Sequence, residues 1–362
     1  VTILVPRPDI MGIVPYVGGE STVPGLRRVI KLASNESALG PSPQAVQAYN
    51  EAAGTLHRYP DGGSETLRHV LASHHGLDPA RIVCGAGSDE LICNLCRAYA
   101  GPGDEVLHSR HGFLMFAIYA KSVGATPVAA PEKTLTADVD ALVDRVTPKT
   151  RILFLANPNN PTGSYLPAAA LKRLRAGLPE SVLLVIDAAY AEYVGGDGYS
   201  PGIDLVDGGD NVVMTRTFSK IHALAGLRLG WAYCPTAVAD VLNRVRGPFN
   251  VSAPAQAAGA ATLGDTAHTA RVRSHNDKWL PWTAGKVKDL GLAAPPSAGN
   301  FQLVRFPTEK GRDAEAADAF LKERGIITRH MAVYGLPEAL RVTIGGEEEM
   351  LAFIEALDEF MG

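Results

Sequence analysis

The chain has 362 residues, 46% of them hydrophobic and 20% charged, with a formal net charge of -4 at pH 7. That size suits a globular protein with one large core or two unequal ones, and the slight acidity gives nucleic acid or an anionic membrane no electrostatic hold. No apolar run nears the ~18 residues that span a bilayer, and the opening Val1–Pro8 lacks a basic start, so a cytoplasmic protein is expected and not an exported or membrane one.

From about residue 43 to 290, short apolar runs alternate with longer amphipathic stretches. Strands are predicted at Arg81–Cys84, Glu105–His108, Thr126–Ala129, Arg151–Ala156, Val182–Asp187, Asn211–Thr215 and Leu229–Cys234. Helices are predicted at Ser88–Ala100, Phe113–Val123, Ala137–Val146 and Ala168–Ala176. Strands alternating with helices argue for an α/β fold, a mainly parallel sheet covered on both faces. Residues 267–291 read as one long connecting helix broken near Pro281. Beyond it come a strand at Gly299–Phe306, a helix at Asp313–Arg324, strands at Ile326–Arg329 and Leu340–Ile344, and a closing helix at Glu347–Met361. This α+β unit is too small to stand comfortably alone. The expected division is therefore 43–290 as the large domain and 291–362 as the small one, with residues 1–42 forming an arm that joins the small domain.

Four cysteines in a chain this long do not suggest a disulfide framework. Cys93 and Cys96 form C-x-x-C inside a helical segment, and no second ligand pair has zinc spacing, so no metal is expected. The ten histidines are scattered, with His74-His75 reading as the polar end of a helix.

The chemistry gathers where strands end. Gly85-Ala86-Gly87-Ser88-Asp89 follows one strand and Asn157-Pro158-Asn159-Asn160-Pro161-Thr162-Gly163 another. Asp187-Ala188-Ala189-Tyr190 closes a third, and Thr217-Phe218-Ser219-Lys220 follows a fourth, with Arg228 eight residues beyond Lys220. In open α/β sheets, ligands sit beyond the carboxyl ends of the strands, so these distant segments can converge on one crevice. An amine nucleophile, a carboxylate, hydroxyls and a guanidinium in that arrangement read as a site holding a phosphorylated aromatic aldehyde on a lysine, which is pyridoxal phosphate chemistry. Each residue has a plainer reading: Lys220 as a surface amine, Asp187 as a cap, Asn160 as a turn starter, Phe113 as core. A dinucleotide fingerprint starting at Gly85 fails, because its third glycine position is Glu90.

With these motifs in view, the chain resembles the fold-type I pyridoxal-phosphate-dependent aminotransferases over essentially its whole length, and among them the histidinol-phosphate aminotransferase family. Pro15-Tyr16, Asn35-Glu36, Gly40–Pro43, Arg58-Tyr59-Pro60 and Leu340–Gly345 add to the match. The resemblance implies pyridoxal 5′-phosphate as cofactor. Lys220 would carry it and shuttle the proton of the reaction, Asp187 would pair with its ring nitrogen, and Tyr190 and Asn160 would bond its phenolic oxygen. Ser88, Asp89, Thr217, Ser219 and Arg228 would hold its phosphate. Phe113 would stack on the ring where the family commonly has Tyr. The resemblance also implies Arg341, Arg329, Tyr16 and Asn160 as substrate contacts, and Tyr59 as a reach to the cofactor phosphate of a neighbouring subunit in a homodimer with shared sites.

The implied reaction exchanges an amino group between L-glutamate/2-oxoglutarate and L-histidinol phosphate/imidazole acetol phosphate. Three rivals stand beside it. One is an aromatic amino acid aminotransferase, and another a decarboxylase of a phosphorylated amino acid. The third, a binding or regulatory protein on this scaffold, would need a DNA-binding module.

Overall fold

In a computed structural model, residues 4–26 and 28–362 are described, so the first three residues of the Val1–Pro8 opening lie outside the described residues. The main sheet runs in the order Ile82–Gly85, Gly230–Tyr233, Val212–Thr217, Leu183–Asp187, Thr150–Ala156, Glu105–Ser109, Thr126–Ala130. Gly230–Tyr233 is antiparallel to both neighbours, and the remaining pairs are parallel.

The strands are buried on both faces, and their side chains alternate between two cores. Leu153, Leu155, Leu184, Ile186, Val212 and Met214 enter one. Ile152, Phe154, Leu183, Val185 and Val213 enter the other. Near-continuous apolar runs are what a doubly covered parallel sheet requires. Register brings Ala156 beside Asp187 and Asp187 beside Thr215, so these strands finish at one edge. The antiparallel strand begins at that edge, with Gly230 opposite both Thr217 and Gly85. Its reversed direction delivers Arg228 to the place where the other strands end.

A third core gathers Leu32, Trp279, Val287, Val304, Leu321, Leu340, Val342 and Phe353. It lies against a three-stranded antiparallel sheet in the order Phe301–Arg305, Ala339–Thr343, Arg329–His330. Ile30–Lys31 pairs in parallel with Ile326–Ile327, which ties the N-terminal segment to this core.

Three sequence expectations change. The helix Thr266–Asp289 runs unbroken through Pro281. Proline forfeits one helical hydrogen bond, but Trp279, Thr283 and Val287 are buried around it, and the Thr283 hydroxyl donates to the Trp279 carbonyl. The strand expected at Ile326–Arg329 is two strands in different sheets, Ile326–Ile327 and Arg329–His330. Between them Thr328 turns inward and its hydroxyl donates to Asp318 Oδ1. The helix expected from Phe113 begins at Met115, leaving Phe113 in the preceding turn. Cys93 and Cys96 are free thiols within the helix Ser88–Tyr99.

Candidate active site

At the shared strand edge lies a cavity of about 280 Å³. Its lining includes Tyr16, Ser88, Asp89, Phe113, Asn160, Asp187, Tyr190, Thr217, Ser219, Lys220 and Arg228, together with Met115, Ala156, Pro158 and Ala189. Arg341 adjoins it through Asn160. Tyr59 and Arg329 stand apart from the lining.

Lys220 sits three residues past the strand Val212–Thr217, half-buried, with Nζ 5.6 Å from the centre of the Tyr190 ring. Burial, then the positive charges of Arg341 and Arg228, push its pKa down to about 8, while Asp187 opposes the shift. Near neutral pH a useful fraction of this lysine is therefore the free amine. Asp187 is buried at the end of its strand and accepts from the Thr215 hydroxyl at 3.2 Å. Burial pushes its pKa up to about 6 despite that bond and the nearby Lys220.

The Tyr190 hydroxyl accepts from Asn35 Nδ2 at 2.8 Å, and burial raises its pKa to about 12. It therefore keeps its proton and can donate it into the cavity. Asn35 itself is buried with φ of 55°, its N–H donating to Thr343 Oγ1. Asn160 Oδ1 accepts from Arg341 Nη1, which leaves the Asn160 amide nitrogen to donate. Arg341 is buried, and its Nη2 donates to the Ala33 carbonyl at 2.7 Å. Its Nε has no partner, and among the described residues no carboxylate pairs with it. A buried guanidinium with a donor to spare is a receptor for an anion.

The opposite end of the cavity is built for another anion. The helix Ser88–Tyr99 starts without a side-chain cap, so its first N–H groups remain available. Glu90 braces the turn before it: its Oε2 accepts from the Ala86 N–H at 2.6 Å and from Asn250 Nδ2 at 2.8 Å. Asp89 points its carboxylate away to the Tyr119 hydroxyl, so only its backbone serves this end. Arg228, held in a left-handed conformation with φ of 51°, donates to Ser219 Oγ and the Ala225 carbonyl. A Cβ on Gly87 would meet Arg228 Nη2 at 2.5 Å, and one on Gly230 would meet Ser88 N at 2.2 Å. The cup closes only because both are glycine. Thr217 Oγ1 accepts from the Ser219 N–H, shaping the loop that carries Lys220.

An ion pair unseen in the sequence reading lines a second cavity, together with His75, His222 and Arg273. Arg216 Nη2 meets Glu192 Oε1 at 2.7 Å with side chains 7% and 14% exposed. It joins the residue before Thr217 to the turn after Tyr190. The long-range bonds of Asn35, Glu90 and Glu192 also lie outside that reading, their partners standing 308, 160 and 24 residues away.

Two of the expected site residues lie outside the lining of this cavity. Arg329, expected as a second anion contact, spends both terminal nitrogens on the carbonyls of Val17 and Gly18. Tyr59 is 83% exposed and stacks on Phe249 at 4.6 Å, away from this cavity.

Comparison with known proteins agrees with this arrangement. The sequence profile of aminotransferase class I and II matches residues 27–357. The chain is 63% identical to the histidinol-phosphate aminotransferase of Paramagnetospirillum magneticum, over 99% of this chain and 98% of that one. It is 58% identical to the namesake from Rhodospirillum centenum, with the same coverages. Among solved structures, the histidinol-phosphate aminotransferase of Sinorhizobium meliloti in complex with pyridoxal-5′-phosphate superposes with a TM-score of 0.90 at 31% identity, covering 99% of this chain and 98% of that one. On profile, identity and fold alike, the chain belongs to the aminotransferase class I and II family and, within it, to the histidinol-phosphate aminotransferases.

Proposed function

We propose that the chain exchanges an amino group between L-glutamate/2-oxoglutarate and L-histidinol phosphate/imidazole acetol phosphate, with pyridoxal 5′-phosphate as its cofactor. The observation that carries this reading is the pair of anion receptors flanking Lys220. One is the uncapped helix start with Arg228, and the other is Arg341, buried without a carboxylate. A phosphorylated cofactor suits the first and an anionic substrate the second. The relatives' names carry the same activity at 52–63% identity.

The residues present fit the cofactor. Ser88 and Asp89 N–H groups, Thr217, Ser219 and Arg228 would bind its phosphate. Phe113 would cover one face of its ring, and Asp187 would hold a proton on the ring nitrogen. Tyr190 and the Asn160 amide would donate to its phenolic oxygen. When bound, the cofactor supplies an electron sink for the pair left as the substrate's α-proton departs. Lys220 takes that proton and returns one, a task suited to an amine whose pKa lies near the working pH. Arg341 orients the substrate by its anionic group, the carboxylate of glutamate or the phosphate of histidinol phosphate in turn.

The proposed assembly is a homodimer in the cytoplasm, with Tyr59 reaching across to the partner's phosphate cup. Its exposure and its stack on Phe249 support that reading. Residues 1–42 with 291–362 would form the small domain that presents Arg341, and 43–290 the large one. The test is steady-state turnover with 2-oxoglutarate and a series of amines. A kcat/KM for L-histidinol phosphate at least about tenfold above that for L-phenylalanine is expected. The reverse order would make the chain an aromatic aminotransferase.

A further inference from the structure

Phe113 lines the Lys220 cavity from a turn, outside the helix Met115–Ser122, and is only half-buried. Its aromatic contact is Phe116, edge-on at 5.7 Å. A firmer hold lies two residues earlier. Glu132, on the short strand Glu132–Lys133, accepts from His111 twice: the backbone N–H meets Oε1 at 3.0 Å and Nδ1 meets Oε2 at 2.8 Å. The two side chains are 11% and 3% exposed. A carboxylate so deep loses its hydration, and two donors from one residue compensate it.

The bonds run on into the loop that carries Asn160. The His111 carbonyl accepts from Asn159 Nδ2 at 3.0 Å, and the same nitrogen donates to Thr162 Oγ1 at 2.8 Å. The Thr162 and Ser164 hydroxyls share a hydrogen bond at 2.9 Å, and Ser164 Oγ donates to the Leu135 carbonyl at 2.7 Å. Leu135 lies in the turn of the hairpin whose first strand holds Glu132. The circuit therefore closes on itself, and such linked buried bonds act as a unit. Neither His111 nor Glu132 lines the cavity, but Phe113 and Asn160 do.

We infer that His111 and Glu132 are positioning residues, whose buried pair locks the turn carrying Phe113 to the loop carrying Asn160 and so holds the Phe113 ring and the Asn160 amide in one frame for a flat aromatic ligand. The inference rests on reading the Lys220 cavity as the cofactor site.

Amide hydrogen exchange of the cofactor-free protein, read by mass spectrometry, tests the frame without any ligand. Glu132→Ala should speed exchange about tenfold in residues 110–113 and also in 157–164, to which Glu132 makes no hydrogen bond. The closing helix Glu347–Met361 should keep the parent rate. Asn159→Ala opens the circuit on its other side and should loosen the same two segments. Glu132→Gln should stay near the parent. Its oxygen can accept from the His111 N–H, and its amide can donate to Nδ1 once the ring proton moves to Nε2. On the cofactor-loaded protein, Glu132→Ala should at least halve the visible circular dichroism per unit absorbance, since that signal follows the asymmetry around the bound ring, and Glu132→Gln should preserve it. Faster exchange in Glu132→Ala confined to 110–113, or spread equally to the closing helix, would overturn the inference. So would an unaltered dichroism in Glu132→Ala. The exchange result stands whether or not the cofactor reading does, so the two failures are distinguishable.

Discussion

Glu192→Ala should expose how much the segment leading to Lys220 depends on one ion pair. Arg216 and Glu192 are joined at 2.7 Å and 3.2 Å, nearly out of water, and Arg273 also donates to the Glu192 backbone carbonyl. Burial alone would raise the Glu192 pKa, but Arg216 and His222 hold it below the usual range. Removing the carboxylate strands a buried guanidinium, whose remaining contact is the Trp231 ring 5.7 Å away. Breaking such a pair costs about 3–5 kcal/mol. With an unfolding entropy of ~2.1 cal/mol/K per residue, 362 residues give ~0.76 kcal/mol/K, so the melting temperature should fall by about 4–7 °C. Differential scanning calorimetry of the cofactor-free protein reads this directly. Glu192→Leu with Arg216→Met should recover most of the loss, since a packed apolar pair needs no compensation. A fall below about 1 °C in Glu192→Ala would refute the claim that the pair supports the loop carrying Thr217 to Lys220.

Three further outcomes follow from the site. The cofactor-free enzyme should take up pyridoxal phosphate faster as pH rises to about 8 and then level off, because the neutral Lys220 amine is the nucleophile. A rise continuing past pH 10 would mean an unperturbed lysine. Asp187, raised from 3.8 to about 6, favours folding of the cofactor-free chain below pH 4 and loses that contribution as pH climbs through 6. Asp187→Asn should accordingly melt a few degrees higher than the parent at pH 7 without cofactor, as about two pKa units correspond to ~3 kcal/mol, and match it near pH 3. Equal melting at pH 7 would contradict the buried-charge reading. Gly230→Ala puts a Cβ within 2.9 Å of Ser88 N, Gly87 C and the Arg216 carbonyl, all backbone, so cofactor affinity should drop at least about tenfold by equilibrium titration. Retained affinity would show that the cup has slack.

Much of this was legible in the sequence for a local reason. Apolar runs ending in Asp187 or just before Asn160 and Lys220 declare both strand and edge, and the edge of a parallel sheet is where ligands collect. What escaped depends on contacts distant along the chain. Asn35 presents no local pattern announcing that it bonds Tyr190 155 residues on. Glu90 enters the sequence reading as the residue that spoils a dinucleotide fingerprint, while its bond from Asn250, 160 residues on, has no local sign. Arg329 carries the charge of an anion contact, and no local pattern shows that the Val17 and Gly18 carbonyls accept from it. Pro281 looked like a break, because a proline's local cost is visible while the packing of Trp279 and Val287 is not.

The measurement that bears most directly on the central claim is a single-turnover absorbance experiment on the cofactor-loaded enzyme, without a keto acid. L-histidinol phosphate should rapidly remove the visible band of the lysine-bound cofactor. L-phenylalanine should do so slowly, and Lys220→Ala should lack the band while remaining folded. No loss of the band with histidinol phosphate, or turnover surviving in Lys220→Ala, would contradict the account.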